Sequence, residues 1–486
     1  MATRVIKIEP VTRVEGHCEI KLILNDEGKL QEAQTKIVET RGYEKFVQGR
    51  LIEEMPLILP KMCGICHVPH HVCAGKTVDS AFGLAPSDIP ETAFKLRELM
   101  HYGSYIHSHV LHFFYLAAPD LVIGPDADPK KRNVFGILEV NPDLVKKVIK
   151  ARAVGQKITQ VIGGKRVHPV TCVPGGQAAP LTAEKRDSLL EEAKWVRDSF
   201  LPDALEIANP LFDQYASVVD TLGAIDVGNL GTIKNGGAMD FYDGKLRSMG
   251  DDGTILDEFE IQQYFDYIAE RIQNWSYLKF PYFKKLGWPN GIYRVGPLGR
   301  LNVADYIPTD QAQEMFKEFR NKWGHPINKT LLYNYGRLIE TMFAAEYCVD
   351  LLEDPSITGS NLRTKVELQE GDGIGCVEAH RGTLIHHYTV NKQGILTDCN
   401  LIVATVGNNG AINKAVRAAA FDLIKDGQPA EGLLNRLEMV VRAYDPCFSC
   451  ATHAVAPGRV ATQVEIFDSH GKMLHTLNNW TTQEGT

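Results

Sequence analysis

Met62-Cys63-Gly64-Ile65-Cys66-His67-Val68-Pro69-His70-His71 sets two thiols three positions apart, with three histidines close behind. Gly64 lets the chain turn tightly between the sulfurs, so both can enter one pocket and chelate one soft metal. A matching stretch lies near the other end of the chain: Asp445-Pro446-Cys447-Phe448-Ser449-Cys450-Ala451-Thr452-His453. Pro446 stops the helix before it and stiffens entry to the turn. One Cys-x-x-Cys is shared by redox dithiols and zinc knuckles; two, each with a histidine nearby, point to a metal. If the fold joins them, it ties its N- and C-terminal parts around one centre. On spacing alone, a structural four-cysteine zinc site, iron–sulfur chemistry and two unrelated pairs all stay open.

The chain around these pairs has 486 residues, 44% hydrophobic and 23% charged, with a net charge of -8. That composition is ordinary for a globular protein. Its acidic balance argues against nucleic acid as partner, because phosphate neutralisation needs a basic surface. The N-terminus has no apolar signal region, and no run is long and apolar enough for a membrane span. Ten cysteines without an export signal do not read as a disulfide framework, and in a reducing cytosol the clustered ones read as metal or redox ligands. The isolated ones, Cys18, Cys73, Cys172, Cys348, Cys376 and Cys399, read as small core residues.

Apolar periodicity predicts mostly helices. Phe94, Leu96, Leu99, Tyr102, Ile106, Val110, Phe113 and Leu116 predict one long helix ending before Pro119. Further helices are expected over 144–162, 183–222, 261–278, 311–323, 328–352, 411–424 and 431–443. Alternation predicts a β-hairpin from Glu19–Leu24 and 31–38, and a second from 461–467 and 473–477. Segments 173–176, 228–252 and 287–299, rich in Gly and Pro, read as structured loops. No repeat or flexible linker divides the chain. The expected fold is α+β and predominantly helical, a long-helix bundle core with peripheral β-hairpins. It forms one domain over 1–453, with a hairpin region at 1–40.

The residues flanking the pairs carry a resemblance. Arg13-Val14-Glu15-Gly16-His17, Arg41-Gly42-Tyr43-Glu44-Lys45-Phe46 and the first pair are followed by Ser108-His109-Val110-Leu111-His112-Phe113. Then come His168-Pro169, Pro174-Gly175-Gly176, Gly296-Pro297-Leu298, Glu378-Ala379-His380-Arg381-Gly382 and the second pair with His453. In this order the blocks strongly resemble the large subunit of [NiFe]-hydrogenases, in their cytoplasmic, multi-subunit branch. The resemblance implies reversible oxidation of H2 at a Ni-Fe(CN)2(CO) centre. Cys63 and Cys447 would be terminal nickel ligands, and Cys66 and Cys450 would bridge to the iron. It implies that Glu15 takes the proton beside Cys447, and that Arg381 stands over the metals with Asp445 as its partner. His70 would hydrogen-bond a bridging sulfur, and His112 would lie just outside the ligands. It also implies magnesium between Glu44 and His453. His380 departs from the family, which usually has Pro there.

Electrons must leave through an iron–sulfur small subunit, since this chain has no further cysteine cluster. Electron-transfer subunits of the NAD(P), deazaflavin or heterodisulfide reductase type would lie beyond it. Residues 454–486 resemble the extension that a maturation protease removes after His453. The rival readings are a hydrogen sensor with the same site and a non-catalytic, metal-stabilised scaffold of a redox complex.

Overall fold

A computed structural model describes residues 4–25, 27–37, 39–40, 42–424, 431–452, 463–467 and 473–478. The chain opens with an antiparallel sheet of β1 (Arg4–Ile8), β2 (Glu19–Leu24) and β3 (Leu30–Lys36), in that order. The expected first hairpin is therefore part of a three-stranded sheet. Helix α1 (His67–Ala81) starts directly after Cys66. Helix α2 (Glu91–Leu111) is buried nearly all round, polar residues included, which marks it as the central core helix. It crosses α3 (Pro142–Gly163) very closely. A Cβ on Gly155 would stand 2.6 Å from the Gly103 carbonyl oxygen and 2.6 Å from the His107 amide nitrogen. Gly155→Ala should force the two helices apart at a cost of about 1–3 kcal/mol, read as a lowered melting temperature of the assembled enzyme.

Four strands follow: β4 (Gly228–Ile233), β5 (Lys245–Met249), β6 (Ile255–Phe259) and β7 (Tyr293–Arg294), in the order β7-β4-β5-β6, with β7 parallel to β4. After α4 (Tyr333–Glu353) comes an antiparallel meander of β8 (Gly371–Ala379), β9 (Gly382–Val390) and β10 (Leu396–Ile402). Helices α5 (Ala404–Leu423) and α6 (Glu431–Ala443) lead into the second cysteine pair. The expected C-terminal hairpin is present as β11 (Gln463–Phe467) and β12 (Met473–Asn478). One buried apolar cluster runs from Ile8 to Ala451. Among the described residues no helix is long and apolar enough to cross a membrane.

Several sequence expectations need correction. The long helix does not end before Pro119. It passes into a π-helical stretch, His112–Ala117, and then a last segment, Ala118–Val122. Proline lacks the N–H that an interior α-turn needs; the wider turn and Pro119's place in the first turn of the last segment remove that need. The stretch 261–278 is not a helix. It forms two short turns, Ile261–Gln263 and Tyr264–Tyr267, then a strand, Ile268–Arg271, paired with Phe280–Phe283. Its apolar spacing fits a helix, but its aromatic and β-branched side chains fit a strand once a partner is alongside. The run 183–222 is broken by a π-helical stretch, Val196–Phe200, and ends in a separate turn, Ala216–Thr221. The expected loop over 228–252 contains β4 and β5.

Candidate metal centre

The two cysteine pairs meet. The sulfurs of Cys63, Cys66, Cys447 and Cys450 all lie within 4.8 Å of one another, and all four residues are buried. Cys447 Sγ is 2.7 Å from Cys450 Sγ and 3.3 Å from Cys63 Sγ. Cys66 Sγ is 2.8 Å from Cys450 Sγ and 3.7 Å from Cys447 Sγ. The loop between the first two cysteines turns its amides inward: Ile65 N and Cys66 N donate to Cys63 Sγ at 3.2 and 3.3 Å. Cys66 caps the N-terminus of α1, where the helix dipole favours negative charge. The second loop is pinned by Cys447 N donating to Thr405 Oγ1, 2.9 Å.

Hydrogen bonds from Cys447, Cys450 and Cys66 hold the Cys63 thiol well below its ordinary value. Burial pushes Cys66 up, and Cys447 and Cys450 far up. Burial therefore opposes gathering four thiolates here without a cation. A bound metal cation deprotonates coordinating thiols outright, so four soft donors around one point suit a soft metal.

Above the sulfurs, the turn between β8 and β9 presents Arg381. Its Nη2 donates to Asp445 Oδ1 at 3.0 Å. Both side chains are buried, and Arg381 Nε and Nη1 and Asp445 Oδ2 have no hydrogen-bond partner among the described residues. Burial opposes the Arg381 charge, but Asp445 and the thiols of Cys447, Cys66 and Cys63 hold its pKa well above the usual. Burial pushes the Asp445 carboxyl up despite Arg381 and Arg337. Asp445 has φ 53, a left-handed conformation that costs energy for a non-glycine residue and tends to occur at functional sites.

Glu15 lies beside the second pair. Its backbone forms a parallel bridge with Cys447, Phe448 N donates to Glu15 O at 3.1 Å, and Ser449 N donates to its carboxylate Oε2 at 3.1 Å. Gly16 makes this approach feasible, since a Cβ there would stand 2.8 Å from Ser449 N. His70 packs against His386, its Nδ1 3.1 Å from His386 Nε2. His112 Nε2 donates to the Arg442 carbonyl at 2.8 Å, and burial keeps its ring neutral. Glu44 is buried; its Oε1 accepts from Leu401 N at 2.9 Å and from Lys279 Nζ at 3.3 Å. His453 lies outside the described residues. His67 and His71 hold the backbone: His67 Nδ1 donates to Gly64 O, and His71 links Pro56 O to Cys172 N.

Sequence reasoning missed a support under Arg381. Arg300, wholly buried, donates to Glu340, Glu378 and the carbonyls of Ala379 and His380, at 2.6–3.1 Å. His109 Nε2 joins the same Glu340 at 2.8 Å. This network fixes the turn that carries Arg381, and Asn408 Nδ2 donates to the Arg381 carbonyl at 3.1 Å. Arg300 lies two residues after the Gly296-Pro297-Leu298 block, which is its one sequence signal. His380 Nε2 lies 2.8 Å from Ser104 Oγ, and burial holds its ring neutral.

A profile of nickel-dependent hydrogenases matches residues 41–134 and 222–453, and a HoxL-like profile matches residues 5–40. An F420-non-reducing hydrogenase chain of Methanothermobacter marburgensis is 44% identical over 476 residues, covering 97% of this chain and 99% of that protein. The beta subunit of the NAD-reducing hydrogenase HoxS of Cupriavidus necator is 40% identical, over 97% of this chain and 99% of its own. The crystal structure of an NAD+-reducing [NiFe]-hydrogenase in the H2-reduced state superposes with a TM-score of 0.90 at 41% identity, covering 93% of this chain and 100% of that one. The chain therefore belongs to the nickel-dependent hydrogenase family: it is the large, catalytic subunit of a [NiFe]-hydrogenase, an oxidoreductase acting on H2, in the branch of the F420-non-reducing and NAD-reducing enzymes.

Proposed function

We propose that the four cysteines hold a nickel–iron centre whose iron carries carbon monoxide and cyanide, with Cys63 and Cys447 terminal on nickel and Cys66 and Cys450 bridging. The observation that carries this reading is the convergence of four buried sulfurs beside Arg381, whose Nε and Nη1 are left as buried donors without partners among the described residues. Buried donors of this kind suit anionic cyanide nitrogens. When bound, the centre supplies heterolytic cleavage of H2 and takes up the electrons.

The protein's part is to position groups and move the proton. Glu15, tied by its main chain to the Cys447 loop, accepts the proton and passes it on. Asp445 holds Arg381 in place, and His70 hydrogen-bonds a bridging sulfur. His112 anchors the last turn of α6 through Arg442, and so the segment that carries Asp445. Glu44 and Glu270 share one ammonium, Lys279, at 3.3 Å each. Glu270 Oε1 is buried without a partner among the described residues. Two neighbouring carboxylates of this kind are hard oxygen donors that suit magnesium, with His453 as its second side-chain ligand.

The remaining cysteines are buried one by one, so electrons pass to an iron–sulfur small subunit. Subunits of the NAD(P), deazaflavin or heterodisulfide reductase type take them further, in the cytoplasm. Residues 1–453 act as one catalytic domain, and a maturation protease removes 454–486.

Metal analysis, infrared spectroscopy and intact mass of the co-purified enzyme test this reading together. Nickel, an equal amount of iron beyond that of the small subunit's iron–sulfur clusters, carbon monoxide and cyanide bands, and a chain ending at His453 are expected. Zinc alone would overturn the centre, and an active chain still carrying Thr486 would overturn the processing.

A further inference from the structure

Two residues of β9 extend the site away from the metal. His386 and Tyr388 are two positions apart on one strand, so their side chains share a face. That face meets α1, which carries His70 one turn beyond Cys66. All three side chains are buried. Tyr388 Oη lies 2.7 Å from His386 Nδ1, and His386 Nε2 lies 3.1 Å from His70 Nδ1. The two imidazoles are 5.3 Å apart between centroids and tilted by 30°.

The chemistry of the three groups gives this chain a direction. Burial pushes Tyr388 well above the usual phenol range, so it stays an O–H. Between a phenol and an imidazole nitrogen, the phenol is the better donor and the nitrogen the better acceptor. Tyr388 therefore donates to His386 Nδ1. A neutral imidazole carries one proton, so that of His386 sits on Nε2 and points at His70 Nδ1. His70 in turn carries its own on Nε2. We propose that Tyr388 and His386 are positioning residues that fix the tautomer of His70 and make it a hydrogen-bond donor to the thiolates. The inference rests on the reading of His70 as a group beside a bridging sulfur, and it adds what makes that histidine a donor. The other tautomer would offer the sulfur a lone pair and no hydrogen bond. Outer partners that fix a histidine in this way are typically worth about 10- to 100-fold in activity.

Infrared spectra of the assembled enzyme, taken at one redox state, test it. Tyr388→Phe removes a single oxygen and keeps the ring. With the tautomer released, the sulfur loses its hydrogen bond, electron density on the iron rises, and the carbon monoxide and cyanide bands shift to lower wavenumber. Turnover falls about ten-fold with metal content unchanged. His70→Leu, which has no donor, shifts the bands in the same direction, and the double variant shifts them no further than His70→Leu alone, because Tyr388 acts through His70. Bands that move in His70→Leu but not in Tyr388→Phe overturn the tautomer role and leave His70 beside the sulfur. Bands that move in neither overturn both. Additive shifts in the double variant overturn the route through His70.

Discussion

Cys447→Ser should abolish hydrogen turnover and empty the site of nickel. Cys447 Sγ faces all three other sulfurs, 2.7 Å from Cys450, 3.3 Å from Cys63 and 3.7 Å from Cys66. Serine offers a hard oxygen on a shorter bond, and its hydroxyl is far less acidic than a thiol. The remaining three sulfurs cannot enclose a soft metal from one side. The loss therefore exceeds the about 100-fold expected for an outer contact. Dye-linked hydrogen oxidation and nickel analysis of the purified complex read the result; a variant that turns over normally would remove Cys447 from the ligand set.

Glu15→Gln has the second largest effect and a different signature. The amide oxygen still accepts the Ser449 N–H, now made at 3.1 Å by the carboxylate, and the main-chain bridge to Cys447 is untouched. Folding and metal content are therefore kept. On the proposed reading, what would be lost is the group that takes up the proton, a role worth about 10²–10⁴-fold in rate. Turnover falls by that factor, while conversion of para- to ortho-hydrogen, which needs no proton to reach solvent, is spared to a greater degree. Full turnover in this variant would place the proton route elsewhere.

The contrast between these two residues shows what a sequence makes readable. The cysteine pairs announce themselves because their chemistry is local: two thiols stand a turn apart, and each pair reads as a chelate before any fold is known. Glu15 has no such mark, and only its place in a block of family residues singles it out. Arg300, Glu340 and Glu378 are scattered over 78 positions, so nothing in the chain shows them as one buried network. Helix prediction works where burial is one-sided or complete along a long run, as in α2, α3 and α4. It fails over 261–278, where pairing with the strand Phe280–Phe283 outweighs local spacing. The meander β8–β10 carries Arg381, His386 and Tyr388 to the centre, yet its strands are buried on both faces in large part and show no clean alternation to read.

The span between the two chelating loops sets an order of events in the cell. Cys66 and Cys447 are 381 residues apart. At about 5–20 residues per second, a ribosome takes roughly 20 to 75 s to cover that distance. Throughout that interval the early dithiol has emerged without its counterpart, a ready trap for stray zinc or oxidants. A four-sulfur site can only form once the second pair has been made and has folded back onto the first, and the yield of active enzyme should depend on how well those first thiols are guarded in the meantime.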